Sequence, residues 1–552
     1  MECVGDCAVA IPVPGDAGTP AATARVRALA TTVEQAGIAG VVDVVPSPDR
    51  VTICYDLLTI GSLDALLAAL ASCVTEAAAP ANEATPVIHE IPVVYGGDEG
   101  PDLAEVCQQL GLDRQTLIAR HTAVDYLVTA VGFTPGFAYL GGLDPSLALP
   151  RRATPRTRVP AGSVGIGGGQ TGVYPCASPG GWQIIGRTSR RLFDPTASPP
   201  ALCAVGDRVR FVAVEAGHRS HGAGGEGESG DERPRPSHSA ADRCVTVVSA
   251  GLMTTVQDLG RGDHRASGVT VGGAADPAAA VAANLLVGNP PGAAVLELSL
   301  TGPVLRFPHD VVLALTGGTF SGLPGWRPVR IAAGTTIDCG HATRGCRGYL
   351  AVAGGIDVPP VLGSRSTHLA AGFGGLAGRP LLPGDRLPID EPPPLPADFR
   401  FSLSPALLPL PTSPARLRLI PQAERPREAI PWGEAFRVSA RSNRMGLRLE
   451  GPPLPSAGSG VSRGVVPGTV QVPPDGQPIL LGTDCQTIGG YPVLGHVISA
   501  DLRLAAQLRP GEHVSFEPAT LDEAHAAWRQ RAATLDALAR TLEARRKERL
   551  GV

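Results

Sequence analysis

The sequence predicts a mainly β protein with α+β parts, and three observations carry that expectation. Residues 159–188, VPAGSVGIGGGQTGVYPCASPGGWQIIGRT, have a diverged counterpart about 300 residues later, VVPGTVQVPPDGQPILLGTDCQTIGGYPVLGHV at 465–497. Self-similarity over such a distance marks a duplicated domain. The chain also carries 69 Gly and 54 Pro with aromatics at only 4%, which favours many short strands joined by turns over long helices. Finally, the segment up to residue 74 reads β-α-β-β-α, the order of a small two-layer unit.

Within the duplication, Pro160, Gly162, Ser163 and Val164 answer to Pro467, Gly468, Thr469 and Val470, while Gly180-Gly181-Trp182 answers to Gly489-Gly490-Tyr491. Gly162 and Gly181 are 19 residues apart and Gly468 and Gly490 are 22 apart, a difference one loop absorbs. Each copy reaches a further glycine, Gly186 or Gly495, and closes on a related strand, VGDRVRF at 205–211 or PGEHVSF at 510–516.

Taken in order, residues 4–13 read as a first strand, and 21–36 as an amphipathic helix through the spacing of Val26, Leu29 and Val33. Residues 41–45 and 50–55 alternate like a hairpin around Ser-Pro-Asp, and 63–74 make a second helix. The Ala/Pro-rich stretch 77–86 reads as a linker. Helices follow at 102–110 and 113–120, then a strand at 125–131, then GFTPGFAYLGGL at 132–143, whose Gly and Pro among aromatics predict a sharply turned, presenting loop. Residues 213–241 hold a spacer too poor in apolar side chains to pack. From Cys244 the composition is globular again, and 522–550 carry helix-period Ala and Leu with a basic end suited to the helix dipole. The expected domains are 1–80, 88–215, a flexible linker at 216–243, 244–520 and a final helix at 521–552.

Composition removes several functions. A net charge of -4 provides no field for a phosphate backbone, so nucleic acid is not an expected partner. No basic start precedes an early apolar run and no uncharged apolar run reaches bilayer length, which predicts a cytoplasmic protein without a membrane partner. The eleven cysteines are scattered without a Cys-x-x-Cys pair and read as small buried hydrophobes, with no metal site. Lys547 is the only lysine. A P-loop, a Schiff-base cofactor site and covalently attached biotin are thereby excluded, and arginine must do the cationic work.

The run from residue 92 to 211, with GFTPGFAYLGGL, ATPRTRVPAGSVGI, QTGVYP, SPGGWQIIGRT, LFDP and VGDRVRF, closely resembles the B subunit of 5-oxoprolinase, the KipI or allophanate hydrolase subunit 1 family. The second half resembles the C subunit of 5-oxoprolinase, the KipA family, through SAGLMTTVQDLGR at 249–261, GGAADPAAAVAANLLVGNP at 272–290, LELSLTGP at 296–303, YLAVAGGIDVPPVLGSRST at 349–367, SNRMGLRLEGPPL at 442–454 and the second repeat. The resemblance implies two cyclophilin-like β-barrel halves, shared with biotin-dependent carboxyltransferase domains, beside the small N-terminal α+β domain, with a site where the halves face each other. It implies a component of an ATP-dependent 5-oxoprolinase, a hydrolase of a cyclic amide C–N bond, working on a small-molecule substrate with a separate protein that resembles the A subunit of 5-oxoprolinase. ATP with Mg is the expected cofactor, and a homo-oligomer is left open. Two alternatives remain: a biotin-dependent urea or amide carboxyltransferase component, served by a separate biotin carrier, and a KipI/KipA-like binding protein that regulates a sensor kinase.

Polar residues beside glycines of the repeats are the site candidates, since glycine lets a ligand approach closely. His121, Arg158, Gln170, Gln471 and Asp484 are the catalytic candidates, with His121 or Asp484 to move a proton. Tyr139, Arg156, Tyr174 and Arg187 from the first half are the substrate-binding candidates. From the second half come Asp258, Asp276, Asn284, Arg365, Asn443, Arg444, Gln477, Gln486 and Tyr491, with Arg261 beside them. The arginines suit bidentate contact with a carboxylate or phosphoryl group. An unstrained amide is a poor electrophile, so phosphorylation of its oxygen by ATP is the expected activation before water attacks.

Overall fold

The computed structural model describes residues 1–78, 86–215, 243–396, 401–423, 425, 427–456 and 460–551. Most of the two stretches read as linkers, at 79–85 and 216–242, lies outside the described residues.

The N-terminal unit follows from its pattern. Pro20–Gln35 is helical because Thr19 caps it, accepting from the Ala22 amide at 3.3 Å, and Pro20 opens it where no N–H is needed. Its buried stripe of Val26, Leu29 and Val33 lies on an antiparallel sheet ordered Glu2–Cys3, Ala8–Pro12, Arg50–Tyr55, Val41–Ser47, and Leu63–Ala77 forms the second helix.

Two seven-stranded closed barrels follow, and their strand orders are the same. The first runs Gln170–Val173, Ala138–Gly141, Asp125–Val131, Arg208–Ala213, Ile88–Tyr95, Gln183–Arg187, Ser163–Gly167 and closes on the first of these. The second runs Ile479–Leu481, Gly446–Glu450, Phe436–Val438, His513–Pro518, Ala415–Pro421, Val493–Val497, Thr469–Gln471. Each has one parallel pair, formed by its entering and closing strands, Ile88–Tyr95 with Arg208–Ala213 and Ala415–Pro421 with His513–Pro518. Even the irregularity repeats: the ladder between Ser163–Gly167 and Gln183–Arg187 slips beside Gly186, and that between Thr469–Gln471 and Val493–Val497 slips beside Gly495. A bulge there bends both barrels at the same place. Each barrel also carries a two-stranded ribbon, Arg156–Val159 with Ser178–Gly180 and Arg463–Gly464 with Ile488–Gly489.

Residues 244–390 form a body of their own before the second barrel begins at Ala415. One sheet joins Thr336–Asp338, Val304–Arg306, Cys244–Ser249 and Arg386–Pro388; the other joins Met253–Gln257, Val295–Ser299, Ala342–Val352, Val311–Phe320 and Pro328–Ile331. The helix Pro277–Leu286, half of it alanine, packs against the second sheet through Ala279, Ala283 and Leu286. The last helix, Leu521–Leu550, starts at a reciprocal capping box between Thr520 and Glu523. Its Trp528 reaches the core of the first half, and Leu535 and Leu538 pack beside Ala278 and Trp326 of the second, so one helix straps both. No described helix is long and apolar enough to cross a membrane.

Candidate functional site at the junction of the halves

The two copies of the repeated stretch meet. In the first barrel the corner is filled by aromatic rings: Phe137, Tyr139, Tyr174 and Trp182 pack edge to face, with Phe137 and Trp182 centroids 5.5 Å apart. Ile488 of the second copy is buried in that same cluster. Beside it, the Thr487 amide donates to the Gly132 carbonyl at 3.1 Å, and a side chain at residue 132 would stand 2.2 Å from the Thr487 hydroxyl, so only glycine permits the approach. The loop that begins at Gly132 is held from a second direction where the Gly136 amide donates to Ser267 O at 2.8 Å. The presenting loop foreseen in the sequence thus presents itself to the other half.

Below this contact runs a buried ionic network. Arg444 donates through Nε and Nη2 to the two oxygens of Asp484 at 2.8 and 2.9 Å, and through Nη1 to Glu297 Oε1 at 2.5 Å. Glu297 also accepts from the Ala275 amide and the Tyr349 hydroxyl, both at 2.9 Å; that hydroxyl accepts from the Asp276 amide at 2.7 Å. Asp276 caps its helix at the Ala279 amide and accepts from Gln507 Nε2 at 3.1 Å. Burial opposes ionisation of Asp484 and Glu297, but the Arg444 guanidinium overrides it and holds both below the usual carboxylate range. Arg444 itself is pushed further up, burial being outweighed by the two carboxylates. A cavity of about 40 Å³ lies between Arg347, Arg444 and Leu447.

Next to Asp484 the charges are unsettled. Arg261 is 3% exposed, yet only its Nη2 is used, donating to Ser366 O at 2.5 Å; Nε and Nη1 are buried without a partner among the described residues. The guanidinium lies over the Phe373 ring at 5.1 Å. His368 stacks on that ring at 4.8 Å, its buried Nε2 without a partner among the described residues, and burial pushes its pKa down to about 4. The first half reaches the same place: Phe193 lies 5.7 Å from Phe373.

Comparison with known proteins fits these contacts. The carboxyltransferase domain, subdomain C and D, matches residues 1–203, and the carboxyltransferase domain, subdomain A and B, matches 267–518. The chain is 41% identical over 294 residues to the C subunit of 5-oxoprolinase from Escherichia coli (strain K12), a match spanning 51% of this chain and 93% of that protein. It is 39% identical over 222 residues to the B subunit of 5-oxoprolinase from Bacillus subtilis (strain 168), spanning 39% of this chain and 92% of that protein. The chain belongs to the family of the B and C subunits of 5-oxoprolinase. It joins counterparts of both in one polypeptide. The crystal structure of TTHA0988 has the same overall arrangement, with a TM-score of 0.79 at 35% identity over 92% of this chain and 99% of that one.

In this fused 5-oxoprolinase-family chain the candidates read from sequence separate into groups. Asp484, Arg444 and Asp276 belong to the buried network, with Asn443 exposed beside it and capping the Met445 amide. Gln471 is buried with Nε2 unpartnered among the described residues, and its Oε1 receives Gln486 Nε2 at 3.5 Å. Tyr139 and Tyr174 are bricks of the aromatic corner, their hydroxyls pushed to higher pKa by burial. Arg156, with Arg152, pairs with the buried Asp102, whose other oxygen accepts from the Ile184 amide at 2.6 Å. Asp258 organises a loop, accepting from the Gly260 and Arg365 amides and from Ser364 and Ser366; the Arg365 side chain turns to Val358 O and Asp357. Asn284 and Gln477 close turns by bonding backbone at Ala293 and Gly451. Arg187 pairs with Glu99 at the surface, while Arg158 and Tyr491 are exposed and Gln170 is half-buried at a hairpin end. His121 sits inside the first barrel, Nδ1 against the Tyr95 hydroxyl at 2.8 Å and Nε2 against Thr171 at 2.9 Å; burial drives its pKa down to about 3. With both nitrogens engaged and the side chain fully buried, its place is in the core.

Sequence reading did not single out Asp102, Glu297, Arg347, His368 or Phe373. Glu297 left a signal: it is the one charge in VLELS, a strand whose first four residues are all buried. A carboxylate there requires a cation from elsewhere.

Proposed function

We propose that this chain is the B-plus-C component of an ATP-dependent 5-oxoprolinase, which opens 5-oxo-L-proline to L-glutamate together with a separate protein of the A-subunit type. The observation that carries this reading is the junction itself: counterparts of two proteins, each similar over almost its whole length to a 5-oxoprolinase component, are locked by backbone hydrogen bonds beside a buried group of charges in the second half. One chain keeps the two at a fixed ratio.

The residues present divide the work. Asp484, held ionised by Arg444, is an acceptor that a lactam N–H or an attacking water can use, and its low proton affinity suits orientation better than proton storage. Gln471 Nε2, without a partner among the described residues, is a donor within the second repeat. Arg444 and Arg347 face Glu297, and Arg156 faces Asp102, so these three arginines are committed within the fold. ATP with Mg, when bound, supplies activation of the amide oxygen.

The test is incubation of the purified chain with ATP and 5-oxo-L-proline, with and without the A-type partner protein. Glutamate formed only when both are present is the expected result. A second reading, transfer of a carboxyl group from a separate biotin carrier, is favoured by the carboxyltransferase character of both matched domains. It requires bicarbonate and a biotinylated protein for turnover, and activity without either rejects it.

A further inference from the structure

Gly272 has φ +63, and the space where a β-carbon would sit lies 3.2 Å from Arg261 Nη1, 3.8 Å from Asp484 Oδ1 and 4.0 Å from Thr270 Oγ1. Arg261 Nη1 and the Thr270 hydroxyl have no hydrogen-bond partner among the described residues, and Thr270 is 4% exposed. Two buried donors, one of them a cation, and one carboxylate oxygen thus lie around Gly272, with no side chain at that position to separate them. A buried guanidinium with three unused N–H donors on two nitrogens is costly unless an anion completes it. The Phe373 face offsets part of the charge but cannot accept those hydrogen bonds in the plane of the guanidinium. Asp484 makes no hydrogen bond to Arg261 among the described residues; its oxygens each accept once from Arg444 and each keeps a lone pair for a further donor.

We propose that Arg261 and Thr270 beside Gly272 bind the carboxylate of the cyclic amide, with Asp484 Oδ1 accepting its ring N–H. This rests on the function proposed above and names the group by which its substrate is chosen. In 5-oxo-L-proline the carboxylate and the N–H are carried on adjacent ring atoms, so one ligand face offers an acceptor for Arg261 and a donor for Asp484. A simple lactam offers only the donor and leaves the guanidinium unpaired. His368, kept neutral by burial, borders the site without adding charge, so one carboxylate matches the Arg261 cation. Phe193 against Phe373 brings the first half to the edge of the site, which makes carboxylate recognition depend on both halves.

The experiment is calorimetric titration of the full-length chain with 5-oxo-L-proline and with 2-pyrrolidone, which lacks the carboxylate. The wild type is expected to bind the first and to bind the second at least tenfold more weakly. Arg261→Met should lose roughly tenfold or more in affinity for 5-oxo-L-proline and nothing for 2-pyrrolidone, and Thr270→Val a few-fold. Circular dichroism confirms folding; should Arg261→Met not fold, Thr270→Val decides. Wild-type affinity for 5-oxo-L-proline in a folded Arg261→Met, or in Thr270→Val when that variant decides, overturns the site. The two readings fail separately. Arg261-dependent binding without glutamate formation beside the partner keeps the site and rejects the oxoprolinase, whereas glutamate formed by Arg261→Met at the wild-type KM keeps the oxoprolinase and rejects the site.

Discussion

Loops 132–137 and 441–445 occupy the same place in the two barrels, each leading into the strand that follows it in the shared strand order, Ala138–Gly141 or Gly446–Glu450. Both dock their barrel on the body next to it, by opposite means. The first does so through backbone, with Gly132 O and the Gly136 amide bonded to Thr487 and Ser267, and through apolar rings behind it. The second sends one buried guanidinium, Arg444, braced by Asp484 of its own barrel, into the Glu297 carboxylate and the Gly273 carbonyl. Duplication has kept the scaffold and divided its chemistry, packing on one side and charge on the other. The same holds at the corner: Trp182 is buried among rings, while its counterpart Tyr491 is 37% exposed and the space inside is given to Gln471.

Breaking the charged loop should cost most. Arg444→Met strands Asp484 and Glu297 as buried carboxylates, with an expected loss of about 3–5 kcal/mol in urea unfolding. Thr134→Val in the matching loop removes a hydroxyl that has no hydrogen-bond partner among the described residues and should cost less than about 1 kcal/mol. Equal losses would show that the two loops do not differ as described.

The aromatic corner is next. Trp182→Ala removes the ring that contacts Phe137, Tyr139 and Tyr174, and about 3–4 kcal/mol should go with it. Tyr491→Ala, at the equivalent exposed position, should stay within about 0.5 kcal/mol. Thermal melts of the pair measure how far the copies have diverged.

The seam beside these loops carries a pH dependence. Asp43 of the N-terminal unit accepts from the Arg265 amide at 2.9 Å, and Arg265 also donates to Val465 O. Burial pushes the Asp43 pKa up to about 6, Arg265 only partly opposing it. The folded state therefore holds this proton more tightly than the unfolded chain does. The stability that Asp43 contributes is full below the ordinary carboxylate pKa near 4 and is lost as pH rises through about 6. Measured against Asp43→Asn, which does not titrate, the wild type should lose up to about 3 kcal/mol between pH 4 and 7. A flat difference would show that Arg265 keeps Asp43 ionised throughout.

Much of this was legible in the sequence. The repeat located both barrels because glycines at bulges and close approaches, such as Gly186 and Gly495, are fixed by backbone geometry and survive when side chains diverge. Helices announced themselves by caps and period, and Asp125–Val131 matched residue for residue. The charge network was not legible, because Glu297 and Arg444 are 147 residues apart and meet only when the 244–390 body packs on the second barrel. His121 misled for a related reason: a histidine before a glycine-rich loop looks available, and only the fold shows Tyr95 and Thr171 closing on its nitrogens. Arg261 stood in a motif, but nothing in the motif shows that its Nε and Nη1 lack a partner among the described residues.

The smallest stability effects test the site most cleanly, because they separate chemistry from packing. Gln471 lies inside the second barrel's corner; among the described residues its Nε2 has no partner and its Oε1 has a 3.5 Å contact to Gln486. Gln471→Ala removes a polar group that the fold barely satisfies, so its cost should be about 1 kcal/mol or less. Arg158 is exposed on the first barrel's ribbon beside Arg156, which is committed to Asp102. Arg158→Ala should therefore leave the melt within about 0.5 kcal/mol. If the working side of the junction is the charged one, glutamate formation should fall in Gln471→Ala and hold in Arg158→Ala. Loss in Arg158→Ala with an unchanged melt would put a working cation on the first barrel, and the division between a packing copy and a chemical copy would have to be redrawn.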